Sequence, residues 1–147
     1  MKHFSDGLIA VVKRDCPTCT LIEPVLQQLS AGGEPLVVYC QDDPTFPRGV
    51  EKVVDDSSLE NSFHLEVDVV PTLVRYRGGK ETARTYGWAR PEWQALTGIR
   101  DLGAALPELR PGCGSKTQDR GGTPCHRLRF EWFAGDSRRE LFSQPPR

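Results

Sequence analysis

The chain has 147 residues and a formal net charge of −1, with 37% hydrophobic and 27% charged residues, enough for one ordinary domain with a buried core. Charge is unevenly spread: residues 1–110 carry 12 Lys/Arg against 16 Asp/Glu, and residues 111–147 carry 7 against 4, so a mildly acidic body precedes a basic tail. Neither part has the basic density of a nucleic-acid surface, and no run approaches the roughly 18 apolar residues of a membrane span, so neither nucleic acid nor a membrane is an expected partner.

The start, MKHFSDG, lacks the apolar core and cleavage site of a signal peptide, which makes the cytoplasm the expected location. Five cysteines with one tight pair are not the even framework of a small secreted domain.

In chain order, the apolar run Leu8 to Val12 reads as a short buried strand, followed by a charged turn at Lys13, Arg14 and Asp15. Cys16-Pro17-Thr18-Cys19 then opens a helical pattern. Pro17 suits a first turn, and Leu21, Ile22, Val25, Leu26 and Leu29 give one apolar face. Ser30 to Gly33 stops the helix, and Leu36 to Cys40 forms the next strand, completing a βαβ unit with parallel strands. Cys40 reads as a buried, inert thiol.

Gln41 to Gly49 is a polar loop with two prolines, and Val50 to Val54 suits either a short strand or the start of a helical turn. Asp55 to Val67 opens with several candidate caps and reads as a helix leading to Val70-Pro71-Thr72. Leu73 to Tyr76 alternates as a strand, Gly78-Gly79 as a hairpin turn and Glu81 to Tyr86 as its partner. Pro91 to Leu96 is a further helix with Trp93 in its core face, and Trp88 is a candidate for the rim of a groove. From Thr97 to Pro111 the pattern dissolves, with Leu102, Leu106 and Leu109 as weak anchors. Residues 111–124 hold seven Gly, Pro or Ser in fourteen positions and read as a linker. Cys125 to Phe133 alternates partly as a strand, and the end reads as disordered.

The chemistry is concentrated in the cysteine pair. A thiolate is the reacting species, and the unpaired N–H groups of a helix N-terminus favour it, so Cys16 is expected below the ordinary thiol pKa of about 8.5. The two-residue spacing lets Cys16 attack a disulfide and Cys19 resolve the mixed disulfide.

With Pro24 five residues beyond Cys19, the Val70-Pro71-Thr72 loop, the hairpin and Gly87, the chain resembles the thioredoxin family over roughly residues 4 to 108. The resemblance implies an α/β, three-layer fold with a central mixed β-sheet flanked by helices, as a domain of residues 1–108, with residues 109–147 as linker and basic tail. It implies a thiol–disulfide oxidoreductase whose catalytic pair is Cys16 and Cys19, with Pro17 and Thr18 completing the active-site loop. Pro24 matches the family's helix-kinking proline, and a cis bond is implied at Pro71. The Val70 backbone would then bind an extended substrate, with Gly87 leaving room and Trp88 at the rim. The implied partners are protein disulfides and an upstream reductase or thiol donor, with no cofactor beyond the Cys16–Cys19 disulfide and no metal.

The chain departs from the family at the central Pro-Thr, at Asp15 in place of a tryptophan, and at Ala10, where the family's strand carries a buried acid. Glu23, one turn after Cys19, is a conceivable substitute for that acid. Two rivals compete. Gly112-Cys113-Gly114-Ser115-Lys116-Thr117 lacks the glycine spacing of a phosphate loop and follows no strand. Zinc on Cys16 and Cys19 would need Cys113, Cys125 or His126, which are not a second tight pair. The alternative to an enzyme is an adaptor module whose CxxC is idle or zinc-bound. An added redox role for Cys113 or Cys125 stays open, and His3 and His64 carry no hypothesis.

Overall fold

In the computed structural model, residues 4–116 are described. The central sheet is built from β1 (Gly7–Val12), β2 (Leu36–Cys40), β3 (Val53–Asp55), β5 (Thr72–Arg77) and β6 (Lys80–Tyr86), in the order β3-β2-β1-β5-β6. β1 runs parallel to β2, and β2 parallel to β3, while β5 is antiparallel to both β1 and β6. The result is a mixed α/β sheet flanked by helices, as the resemblance implies. All six residues of β1 are buried, the mark of a central strand covered on both faces.

The helical pattern after the cysteine pair is two helices, α1 (Pro17–Leu21) and α2 (Glu23–Ala31), meeting at Ile22. Pro24 has no N–H to give to Thr20, which breaks the ladder there. Val25, Leu26 and Leu29 of α2 enter the core with Ile9, Val11 and Val12 of β1. The undecided stretch 50–54 contributes the edge strand β3.

Between Asp55 and Val67 the helix is shorter than the sequence implies. Only α3 (Glu60–His64) forms, because Leu59 takes a left-handed φ of 66° and ends any earlier turn. Asp56 organises this element from inside the core: its two carboxylate oxygens accept hydrogen bonds from Asn61 N and Ser62 N, each at 2.9 Å. The helix α4 (Arg90–Thr97) closes on Gly98 in the left-handed conformation and buries Trp93.

Residues 109–116, read in the sequence as linker, are built into the body. β8 (Leu109–Arg110) pairs with β7 (Trp88–Ala89), and β9 (Cys113–Gly114) pairs antiparallel with β4 (Val69–Val70). The seeming irregularity of residues 98–108 hides Leu102, which is fully buried, whereas Leu109 is 69% exposed and anchors nothing. His3, the strand pattern 125–133, Cys125, His126 and the terminal tail lie outside the described residues. Among the described residues, no helix is long and apolar enough to cross a membrane.

Candidate active site

β1 delivers the cysteine pair to the end of the sheet. The turn between β1 and α1 is fixed by Asp42, whose carboxylate accepts from Arg14 N at 2.7 Å and Asp15 N at 3.0 Å. Burial opposes the charge of Asp42, but those backbone donors outweigh it and hold its carboxyl below the usual range. Arg14 pairs with Asp43 at 2.9 Å. The acidic pair in the polar loop after β2 is thus the anchor of the cysteine loop.

Cys16 is the N-cap of α1, with extended backbone at φ −157° and ψ 112°, and its Sγ accepts from Cys19 N at 3.3 Å. Pro17 occupies the first turn. Cys16 and Cys19 are both free and buried, at 2% and 0% exposure. Opposite them, the Val70–Pro71 bond is cis, and the Cys16 thiol donates to Val70 O at 3.8 Å. A second cis bond, Phe46–Pro47, lies in the loop after β2. The dithiol and the proline loop, far apart in sequence, therefore form one site.

The groove along Val70 is occupied by the chain itself. Cys113 pairs with Val70 and Gly114 with Val69, and Ser115 N donates to Asp68 O at 3.0 Å. Thr18 Oγ1, inside the CxxC, donates to Pro111 O at 2.6 Å, and Lys13 Nζ donates to Gly114 O at 2.8 Å. Gln41 completes the clasp, giving Nε2 to Ser115 Oγ at 2.7 Å and taking Lys116 N at 3.0 Å. Two glycines make the approach possible. A Cβ on Gly112 would lie 2.5 Å from Val70 O, and one on Gly87, whose φ is +63°, would lie 2.9 Å from Gly112 N. Gly112 thus packs directly against Gly87.

Cys113 thereby joins the pair. Its thiol hydrogen bond favours charge on Cys16, but the Cys16–Cys19 hydrogen bond, burial and the neighbouring Cys19 charge prevail, and the Cys16 thiol is pushed up to about 12. The direction is opposite to that expected of a thiol at a helix start: the interaction with Cys19 and burial favour the neutral thiol, and a helix of five residues offers little to offset them. Cys113 is raised as well, by its hydrogen bond to Cys16 and by burial. Cys40, fully buried, is raised chiefly by burial, as befits an inert core thiol.

Two sequence readings find no support. Trp88 is fully buried, its Nε1 donating to Pro107 O at 2.7 Å and its ring tilted 60° against that of Trp93 at 5.2 Å, so it is a core residue and lines no rim. Glu23 accepts from Arg48 N at 2.7 Å and serves the loop, and is no stand-in for a buried acid at Ala10. Among the described residues, no group of three or more His, Cys, Asp or Glu is arranged to hold a metal ion. Lys13, Gln41 and Asp42 escape sequence reasoning because their partners lie on segments distant in the chain. The one signal for the covering strand was a cysteine flanked by glycines, the composition that close backbone approach requires.

No protein-family model matches the chain, and no curated protein is similar to it. Among solved structures it is similar to a thioredoxin of Malassezia sympodialis, Mala s 13, at 20% identity and a TM-score of 0.43, covering 63% of this chain and 72% of that one. It is also similar to thioredoxin f2 of Chlamydomonas reinhardtii, at 22% identity and a TM-score of 0.43, covering 64% and 80%.

Proposed function

We propose that the protein is a thiol–disulfide oxidoreductase acting on protein disulfides. The observation that carries this reading is the convergence of Cys16 Sγ on Cys19 N at 3.3 Å and on Val70 O at 3.8 Å. This supports a reading in which Cys16 is the reactive sulfur, Cys19 its resolving partner and the Val70 backbone an edge for an extended strand. Cys16 attacks the substrate disulfide, a mixed disulfide forms, and Cys19 displaces the substrate thiol and closes Cys16–Cys19. Pro17 and Thr18 shape the loop between them. Val70 and Pro71 hold the substrate strand, which takes the place now filled by residues 111–114, and Gly87 leaves room for it.

An upstream reductase or thiol donor then returns the disulfide to the dithiol, and no cofactor beyond that disulfide is needed. The odd cysteine count suits a reducing compartment such as the cytoplasm.

Insulin reduction with dithiothreitol as donor tests the proposal. Wild-type protein accelerates precipitation, and Cys16→Ser abolishes the acceleration. A wild-type rate equal to that of dithiothreitol alone overturns it.

A further inference from the structure

We propose that Cys113 is a third redox-active cysteine and that residues 111–115 are a built-in substrate segment, able to exchange with the active-site pair to form a Cys16–Cys113 disulfide. The proposal rests on the reading of Cys16–Cys19 as a redox pair and adds the partner that reaches it first.

Three observations carry it. The segment lies as a strand on the edge where a substrate would lie, with Cys113 opposite Val70, the residue whose carbonyl accepts the Cys16 thiol at 3.8 Å. Cys16 Sγ accepts from Cys19 N at 3.3 Å and lies against the carbonyl of Val70, the residue paired with Cys113, so the sulfur stands between its CxxC partner and the covering strand. The segment is held by side chains placed for it: Thr18 on Pro111, Lys13 on Gly114 and Gln41 on Ser115 and Lys116. Thr18 belongs to the CxxC itself, so the active-site loop binds this segment as it would bind a substrate backbone.

The exchange balances without an outside reactant. When turnover has left Cys16–Cys19 oxidised, the Cys113 thiol loses its proton and its sulfur attacks Cys16 Sγ. The Cys16–Cys113 bond forms as the Cys16–Cys19 bond breaks, and Cys19 leaves as a thiolate that takes up the proton. No electrons are gained or lost overall, and the reverse step regenerates the original pair. A tethered thiol acts at an effective concentration of millimolar order or above, so Cys113 outcompetes dilute substrate thiols for Cys16. Cys16–Cys113 is then a resting form in which Cys16 is covered, and an arriving thiol must displace the strand to begin a cycle.

The test uses full-length Cys19→Ser protein equilibrated with glutathione disulfide at submillimolar concentration, acid-quenched, alkylated and mapped by mass spectrometry. The expected product joins the Cys16 and Cys113 peptides, with Cys40 alkylated. Cys16 carrying glutathione with Cys113 alkylated, or Cys16 joined to Cys125, overturns the proposal. Cys113→Ser protein, treated in the same way, separates this claim from its foundation. The Cys16–Cys19 disulfide still forms in it if the redox reading holds, and its absence there rejects that reading whatever Cys19→Ser shows. Wild-type protein is expected to give both linked species, and Cys16–Cys19 alone in wild type and no Cys113 link in Cys19→Ser counts against a third redox cysteine.

Discussion

The βαβ unit of residues 7–40 and the strip of residues 109–116 meet at the same site, yet they are held there by different forces. β1 is buried along its whole length and packs beneath Val25, Leu26 and Leu29, so its position is set by apolar area removed from water. In the strip, Leu109 is 69% exposed, and the attachment is a row of hydrogen bonds from Lys13, Thr18 and Gln41 together with two closely approaching glycines. A net hydrogen bond contributes about 0.5–1.5 kcal/mol, so the strip is held by several small polar contributions rather than by one buried apolar face. The difference separates what positions the thiol, a strand fixed by apolar burial, from what covers it, a segment held by polar contacts.

The largest effect that breaks this contrast is in the body. Leu26→Ala leaves a cavity under β1 and lowers stability by about 2–5 kcal/mol, read as a shift of the denaturation midpoint at constant slope. Gly112→Ala acts on the strip alone. Its methyl would meet Val70 O at 2.5 Å, so the strip lifts, and alkylation of Cys16 at neutral pH rises about tenfold or more, an opening shift of at least about 1.4 kcal/mol, with the global midpoint nearly unchanged. Thr18→Val removes only the bond to Pro111 O and gives a smaller rise, about two- to tenfold. An equal rise for Gly112→Ala and Leu26→Ala, tracking global stability, would erase the contrast.

The pH dependence sharpens it further. With Cys16 pushed up to about 12 from 9.0, the folded state holds its proton where the unfolded chain has released it. This contribution to stability is complete below pH 9 and is lost as pH rises from 9 towards 12. Cys16→Ser therefore flattens the alkaline decline in denaturant midpoint. In Gly112→Ala protein, where water regains the thiol, the pH profile of Cys16 alkylation moves to lower pH than in wild type.

What could be read from the sequence follows the same division. β1, β2, the hairpin β5–β6 and the dithiol at a helix start were legible because apolar periodicity and Gly-Gly punctuation are local signals, and the Val70-Pro71-Thr72 motif placed the facing loop. Asp56 and Leu59, which shorten α3, were not, because a buried side chain reaching five and six residues on and a left-handed leucine leave no periodic trace. The strip was hidden for a stronger reason. Its order is lent by Lys13, Thr18 and Gln41, about a hundred to seventy-four residues earlier, and its own composition is that of a linker. Trp88 was misplaced because a tryptophan beside a glycine at the site reads the same whether its ring faces a groove or packs under it.

The most direct test of the central claim is a redox titration of the Cys16–Cys19 pair in glutathione buffers, read by alkylation and mass spectrometry with metal content measured on the same samples. The account predicts a reversible two-electron transition between about −120 and −270 mV, the range of dithiol oxidoreductases, with no stoichiometric metal. Thiols that stay reduced across that range while zinc co-purifies would contradict it and make the site a metal-holding module.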